Sequence, residues 1–230
     1  GGSQAVSLGE SIEAGLYNIL ITGRNAPAGK YTMRITATDS YGLSSTKEIP
    51  YEILENRAPV LKKELDNYLF TSPGEKEVID AGEFFDDEDG EPLTYEVEIS
   101  DRSVVHLNPS GSSFYLSALG YGLSTVTVTA IDALGKRVSS SFKVLVRDAS
   151  VEYLVYPNPV KTVLRIAAGE ELEDVDVKIV SATGSIVVDR VFEASAFEPA
   201  EVDMSGCAPG AYSMKLKIGG KEYTQSVIKK

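Results

Sequence analysis

Apolar and polar residues alternate along many short runs of the chain: Tyr31, Met33, Ile35 and Ala37; Val126, Val128 and Ala130; Val175, Val177 and Ile179. A period of two places successive side chains on opposite faces, so these runs predict β-strands with one buried face. Turn-forming clusters such as DSYG, DALG, SATG, IGGK and PAGK separate the runs at the spacing of an all-β sandwich. No window carries a convincing helical stripe, and the acidic GEELEDVDVKIV segment reads as loop running into strand. The expected fold class is all-β, built of tandem β-sandwich modules.

An internal repeat sets the module size. GKYTMRITATDSYGLSS, from Gly29, aligns with GLSTVTVTAIDALGKRV, from Gly122, and Asp39 and Asp132 stand 93 residues apart. Each copy reads as a long strand, a D-x-x-G turn and a returning strand, because the Asp carboxylate bonds turn amides and the Gly accepts positive φ. The period suits a seven-stranded sandwich. Three units follow: 1–57, a repeat lacking roughly its initial third and leaving an apolar face that needs cover; 58–149, a complete sandwich opening after the linker ENRAP; and 150–230, which departs from the repeat and holds seven short strands.

The chain has 230 residues, 22 Lys+Arg against 34 Asp+Glu, one His, one Cys and no Trp. A net charge of -12 without a basic cluster argues against nucleic acid and anionic membrane surfaces, since phosphate neutralisation needs concentrated positive charge. Cys207 alone forms no internal disulfide and no Cys zinc site. His106, in SVVHLN, reads as a half-buried strand residue far in sequence from Cys207, which disfavours Cys/His or Ser/His catalysis; Cys207 itself reads as a small turn or core residue. No apolar run reaches membrane-spanning length, so no membrane insertion is expected. The chain begins GGSQAVS, without an initiator Met or a signal-like leader, and is read as a piece of a longer protein.

Residues 58–149 carry 8 basic and 16 acidic side chains, and the densest run is FFDDEDGEPLTYE, 84–96. Asp86, Asp87 and Asp89 before Gly90 offer the carboxylate oxygens a hard cation takes around a tight turn, so calcium is the one candidate cofactor. Phe85 stands where an EF-hand needs its first ligand, and strand-like LTYE follows where a helix should begin, which excludes that motif. The alternative is a solvated acidic turn whose Asp side chains cap loop amides. Phe114, Tyr115 and Tyr121 are a candidate sugar platform, weighed against ordinary packing.

VIDAGEFFDDEDGEPLTYEVEISDRSVVHLN followed by GLSTVTVTAIDALGKRVSSSFKVLV resembles the dystroglycan-type cadherin-like, Ig-like modules of bacterial surface proteins. The earlier copy matches only the later markers, and ENRAP lacks the D-x-N-D-N calcium junction of animal cadherins. From Val151 the chain resembles a type IX secretion C-terminal sorting domain of Bacteroidetes. The matching residues are Tyr156, Pro157, Asn158 and Pro159; VLRI; the VKIVSATGSIV hairpin with Gly184; VDMSGCAPGAY with Pro209, Gly210 and Tyr212; and a closing VIKK with Lys229 and Lys230. The resemblance implies recognition by outer-membrane secretion machinery, processing by a sortase-like protease and attachment to surface polysaccharide, hence a secreted or cell-surface location reached through the periplasm and outer membrane.

The residues carry their own physical reading. Two prolines in YPNP fix φ and remove amide donors, which suits the start of an edge strand. Tyr156 and Tyr212 read as packing residues, and the two terminal lysines read either as solvated or as a contact with the machinery. The function expected is a non-catalytic C-terminal region, spacer modules plus a sorting signal. The rivals are an adhesive or carbohydrate-binding middle module, and the accessory tail of a secreted hydrolase such as a subtilisin-like peptidase.

Overall fold

A computed structural model describes residues 5–13, 16–22, 27–169 and 171–230, with the first two strands described by backbone pairing alone. The opening GGSQ lies outside the described residues. β1 (Ala5–Glu13) and β2 (Leu16–Thr22) form one antiparallel hairpin, and β3 (Gly29–Thr38) and β4 (Ser44–Ile53) form another. On β3 and β4 the alternation half-buries Tyr31, Met33 and Ile35 beside Ile49, Tyr51 and Ile53, and the rings of Tyr31 and Tyr51 stack at 5.6 Å.

Residues 58–149 contribute β5 (Val60–Leu61), β6 (Tyr68–Phe70), β7 (Lys76–Asp80), a 3-10 turn at Ala81–Glu83, β8 (Phe85–Asp86), β9 (Thr94–Ile99), β10 (Val105–Ser110), β11 (Ser113–Ala118), β12 (Gly122–Ile131) and β13 (Arg137–Val146). A four-stranded sheet, β6-β13-β12-β9, faces a three-stranded one, β10-β11-β7. Val126, Val128 and Ala130 from the first share one buried cluster with Phe114, Leu116 and Ile79 from the second. The β12 side chains alternate in and out along the strand, as a period of two requires.

The two aligned hairpins agree pair by pair. Gly29 faces Ile53 and Thr38 faces Ser44 in β3–β4; Gly122 faces Val146 and Ile131 faces Arg137 in β12–β13, each pair shifted by the same 93 residues. Asp39 Oδ1 accepts the amides of Tyr41 and Leu43 at 2.9 Å each, and Asp132 Oδ1 accepts those of Leu134 and Lys136 at 2.8 Å each. Gly42 and Gly135 close these turns at φ +85° and +88°.

All seven strands expected after residue 150 are present: β14 (Leu154–Tyr156), β15 (Val163–Ala167), β16 (Glu173–Ser181), β17 (Ile186–Ala194), β18 (Ala200–Asp203), β19 (Gly210–Ile218) and β20 (Lys221–Lys229). Sheet β17-β16-β19-β20 packs on β14-β15-β18 over a core that includes Val175, Val177, Ile179, Met214 and Leu216 with Leu164, Ile166 and Val202. Although this part departs from the repeat in sequence, it too ends on a Gly-led hairpin, β19–β20.

A small third cluster joins the two sandwiches. Leu145, Ala167 and Ala196 are fully buried together, flanked by Leu69, Leu123, Leu154, Tyr156 and Phe197. Lys143 Nζ donates to the Phe197 carbonyl at 2.7 Å across the same seam. The connecting turn at Asp148, Ala149 and Ser150 is exposed, and Arg147 braces it by donating to the Val151 carbonyl at 2.6 Å.

Two sequence expectations are corrected. His106 is exposed, not half-buried, because it falls on the outward parity of β10 between buried Val105 and Leu107. Phe114 and Tyr115 are successive residues of β11, so they point to opposite faces; Phe114 is fully buried while Tyr115 and Tyr121 are about half exposed, and no shared aromatic platform forms.

Candidate functional site

The motifs singled out after Val151 converge at one end of the last sandwich. β16 ends at Ser181, which pairs with Tyr212 near the start of β19, and Gly210 pairs with Lys229 at the end of β20. The 181–185 turn, the APGAY segment, the YPNP segment and the chain end therefore lie together.

Each motif has a local cause. Ser181 takes the part that Asp plays in the two earlier turns: its Oγ accepts the Ser185 amide at 3.1 Å, Gly184 N–H donates to the Ser181 carbonyl at 3.0 Å, and Gly184 sits at φ +85°. Tyr212 is buried and its hydroxyl donates to the Ala208 carbonyl at 2.8 Å, four residues upstream, with Pro209 and Gly210 making the turn between them. This is a tyrosine corner, which fixes the entry of a strand by tying it to the loop before it. Tyr31 does the same to Pro27 at 2.6 Å, so PAGKY and APGAY are one device used twice. The alignment of residues alone did not expose it.

YPNP acts at both ends. Its two X-Pro bonds, Tyr156-Pro157 and Asn158-Pro159, are cis. The Asn158 side chain reads the backbone of β20 as a neighbouring strand would: Nδ2 donates to the Ser226 carbonyl at 2.8 Å and Oδ1 accepts the Ile228 amide at 2.9 Å. Val160 continues the pairing, donating to the Ile228 carbonyl at 2.7 Å and accepting from Lys230 N–H at 2.9 Å. A segment whose two prolines lack amide donors thus caps the edge of β20 where the chain ends, through the Asn158 side chain and the Val160 backbone.

Tyr156 turns the other way, into the seam between the sandwiches. With Pro157, Arg165 and Pro199 it lines a cleft of about 390 Å³ whose opposite wall is Ser100, Asp101, Leu123 and Thr125. Burial of its hydroxyl pushes the Tyr156 phenol well above its ordinary range. Its ring packs against the seam cluster, as the ring of Tyr212 packs into the core of the last sandwich.

The two lysines part company. Lys230 is exposed, whereas Lys229 is buried, at 8% exposure, with its ammonium donating to the Lys230 carbonyl. Reading both as solvated is corrected for Lys229: it lies on the inward parity of β20, in line with buried Val227. At the opposite end of the sandwich Glu152, just before β14, accepts from Lys221 Nζ at 2.6 Å and Tyr223 Oη at 3.1 Å; these bonds hold the Glu152 carboxyl below and the Lys221 ammonium above their usual ranges.

The acidic run serves a different purpose. Among the described residues no group of three His, Cys, Asp or Glu side chains is gathered as metal ligands, and Asp86, Asp87 and Asp89 each turn to a different protein partner. Asp86 is exposed and 3.9 Å from Lys62, while buried Asp87 caps the Asp89 amide at 2.8 Å. Asp89 accepts the Arg57 backbone N–H at 2.6 Å, Nε at 2.9 Å and an η nitrogen at 2.8 Å, and Glu88 takes the other η nitrogen at 2.5 Å. Next to it, Asn56 Nδ2 donates to Asp132 at 2.8 Å and Lys136 Nζ donates to the Asn56 carbonyl at 2.6 Å. A guanidinium sits among these carboxylates and fastens the linker to the tip of the middle sandwich. Sequence reasoning missed it because Arg57 lies some thirty residues from the acids it binds.

Residues 154–230 match the family described as the secretion system C-terminal sorting domain. No curated protein matches the chain. Similar solved structures include the endo-fucoidan hydrolase MfFcnA4 from glycoside hydrolase family 107 (14% identity, 100% of this chain and 38% of that one, TM-score 0.35). Others are dimeric latent PorU from Porphyromonas gingivalis (16%, 99% and 28%, TM-score 0.27) and the human desmocollin-1 ectodomain (11%, 97% and 48%, TM-score 0.33). The chain spans 38% of the length of the hydrolase. A type IX sorting domain marks its carrier for export to the cell surface or for secretion, and no helix among the described residues is long and apolar enough to cross a membrane.

Proposed function

We propose that this exported protein is a non-catalytic C-terminal region in which residues 150–230 present a folded address and the preceding modules act as spacers of the dystroglycan-type cadherin-like kind. The observation that carries the reading is the clamp of Asn158 and Val160 on β20, which gathers YPNP, the 181–185 turn, APGAY and Lys230 at one exposed end. A receptor can read such an end as a rigid surface, because its loops are tied to strands at each turn.

The spacer reading is supported by the Asn56–Arg57 joint, whose charge-assisted bonds stiffen the link between units. The exposed turn at 148–150 is where a sortase-like protease would separate the address from its cargo, before the cargo is joined to surface polysaccharide. The non-catalytic reading rests on exposed His106 and half-buried Cys207 belonging to different sandwiches.

The test is a fusion of residues 150–230 to a periplasmic reporter in a Bacteroidetes host with a working type IX system. Surface delivery of the reporter, reduced by Asn158→Ala, supports the reading; retention of the parent fusion inside the cell overturns it.

A further inference from the structure

From the way the sheet edges are treated, we infer that β17 is a docking edge for an extended strand of a different protein, one that alternates basic and apolar residues. The inference goes beyond the sorting reading and does not depend on it. An unpaired edge strand presents a row of free backbone donors and acceptors, and proteins blunt such rows with short strands, prolines, charges or covers. In the two sandwiches of residues 58–230 the other edges follow that rule. β6, β14 and β18 have three or four residues, β10 carries Pro109, β9 turns Glu96 and Glu98 outward, β7 carries Lys76 and Glu77, and the end of β20 is covered by Val160.

β17 departs from this pattern. It spans nine residues, lies at the edge of β17-β16-β19-β20, and contains no proline. Ile186, Val187 and Val191 are 56%, 39% and 62% exposed, three large apolar side chains on one edge strand. Its outer row reads Val187, Asp189, Val191, Glu193, apolar and acidic by turns, with Asp189 also held by Lys178 at 2.8 Å. A bulge between the Ile179 and Val180 pairs interrupts only the first residues of the strand.

Charge selects the occupant. An antiparallel second copy with full overlap sets Arg190 against its own counterpart. Sliding by two positions either way, the smallest step that keeps outer row beside outer row, sets Asp189 against Asp189 or against Glu193. Like charges directly opposite are destabilising, so self-pairing is disfavoured in the three longest registers that keep the two outer rows on the same face. A strand placing basic residues opposite Asp189 and Glu193 and apolar ones opposite Val187 and Val191 satisfies both rows, and main-chain pairing supplies the rest, as in other cases of strand addition.

The test uses the full chain and the peptide KTVTKTVTK, with KKKTTTTVV as a control of equal composition and charge. Binding is followed by fluorescence polarisation and amide hydrogen exchange. The expected result is binding of the alternating peptide, slower exchange across 186–194, and severalfold weaker binding by Val191→Lys and by Asp189→Lys, whose melting temperatures match the parent. Ile228→Lys, on the far edge of the sheet, should bind like the parent. Equal binding of the control peptide, slower exchange elsewhere, or an unaffected Val191→Lys variant overturns the inference. Self-association in sedimentation that Val191→Lys abolishes also overturns it, by making the occupant a second copy.

Discussion

The Oδ1 of Asn158 accepts the backbone amide of Ile228 at 2.9 Å, joining the start of the sorting domain to its last strand. With the Nδ2 bond to Ser226, one side chain replaces two links of a β-ladder. Asn158→Ala should remove both at a cost of about 1 kcal/mol, since each exposed hydrogen bond contributes modestly. Amide exchange at residues 226–230 should speed up while the β16–β19 amides stay protected; unchanged exchange at the chain end would show that Val160 alone covers the outer edge of β20.

The two tyrosine corners offer a matched comparison. Tyr212→Phe deletes a bond from a buried hydroxyl, and Tyr31→Phe deletes the same bond at a half-buried position. Urea unfolding should show a loss of about 1 kcal/mol for Tyr212→Phe and a smaller one for Tyr31→Phe, because solvent compensates the exposed carbonyl better. Equal losses would assign the effect to the turn and not to burial.

The Asn56–Arg57 joint should be sensitive to acid. The Arg57 backbone N–H and then its guanidinium hold the Asp89 carboxyl below its ordinary range. Burial pushes Asp132 upward, but bonds from Asn56 and from the Lys136, Leu134 and Gly135 amides outweigh it and leave it lowered. Carboxyls with depressed folded pKa values stabilise fully above their ordinary pKa and lose that contribution as pH falls through the lowered values. Small-angle scattering should therefore show the joint unchanged from neutral pH to about 5 and loosening only below about 4. Arg57→Ala should loosen it at neutral pH.

The seam between the sandwiches is small and apolar. Replacing fully buried Ala196 by Arg places a charge beside Leu145 and Ala167. Calorimetry should then resolve separate transitions for the two sandwiches, against one coupled transition expected of the parent, because each keeps its own core.

Gly122 opens β12 at φ +153°, and a Cβ there would stand 2.6 Å from Val104 Cγ2. Gly122→Ala should cost about 1–3 kcal/mol, the range for overpacking a well-filled core, read from the urea midpoint. A neutral substitution would mean that Val104 moves aside freely.

The alternation of apolar residues determined which segments are strands and which face each buries, since period two is a property of the extended backbone itself; thus Val175, Val177 and Ile179 are inward as their spacing requires. The D-x-x-G turns were legible for the same reason, because Asp39 and Asp132 bond amides within four residues of themselves. Lys229 and His106 were misread because inward or outward parity depends on which side of the sheet receives the second layer. Arg57 among Glu88 and Asp89, Asn158 on β20, and Leu145 against Ala196 were decided only by the tertiary structure. Their partners are distant in sequence, and a periodic pattern states that a side chain is buried or a carboxylate needs a donor without stating which distant segment supplies it.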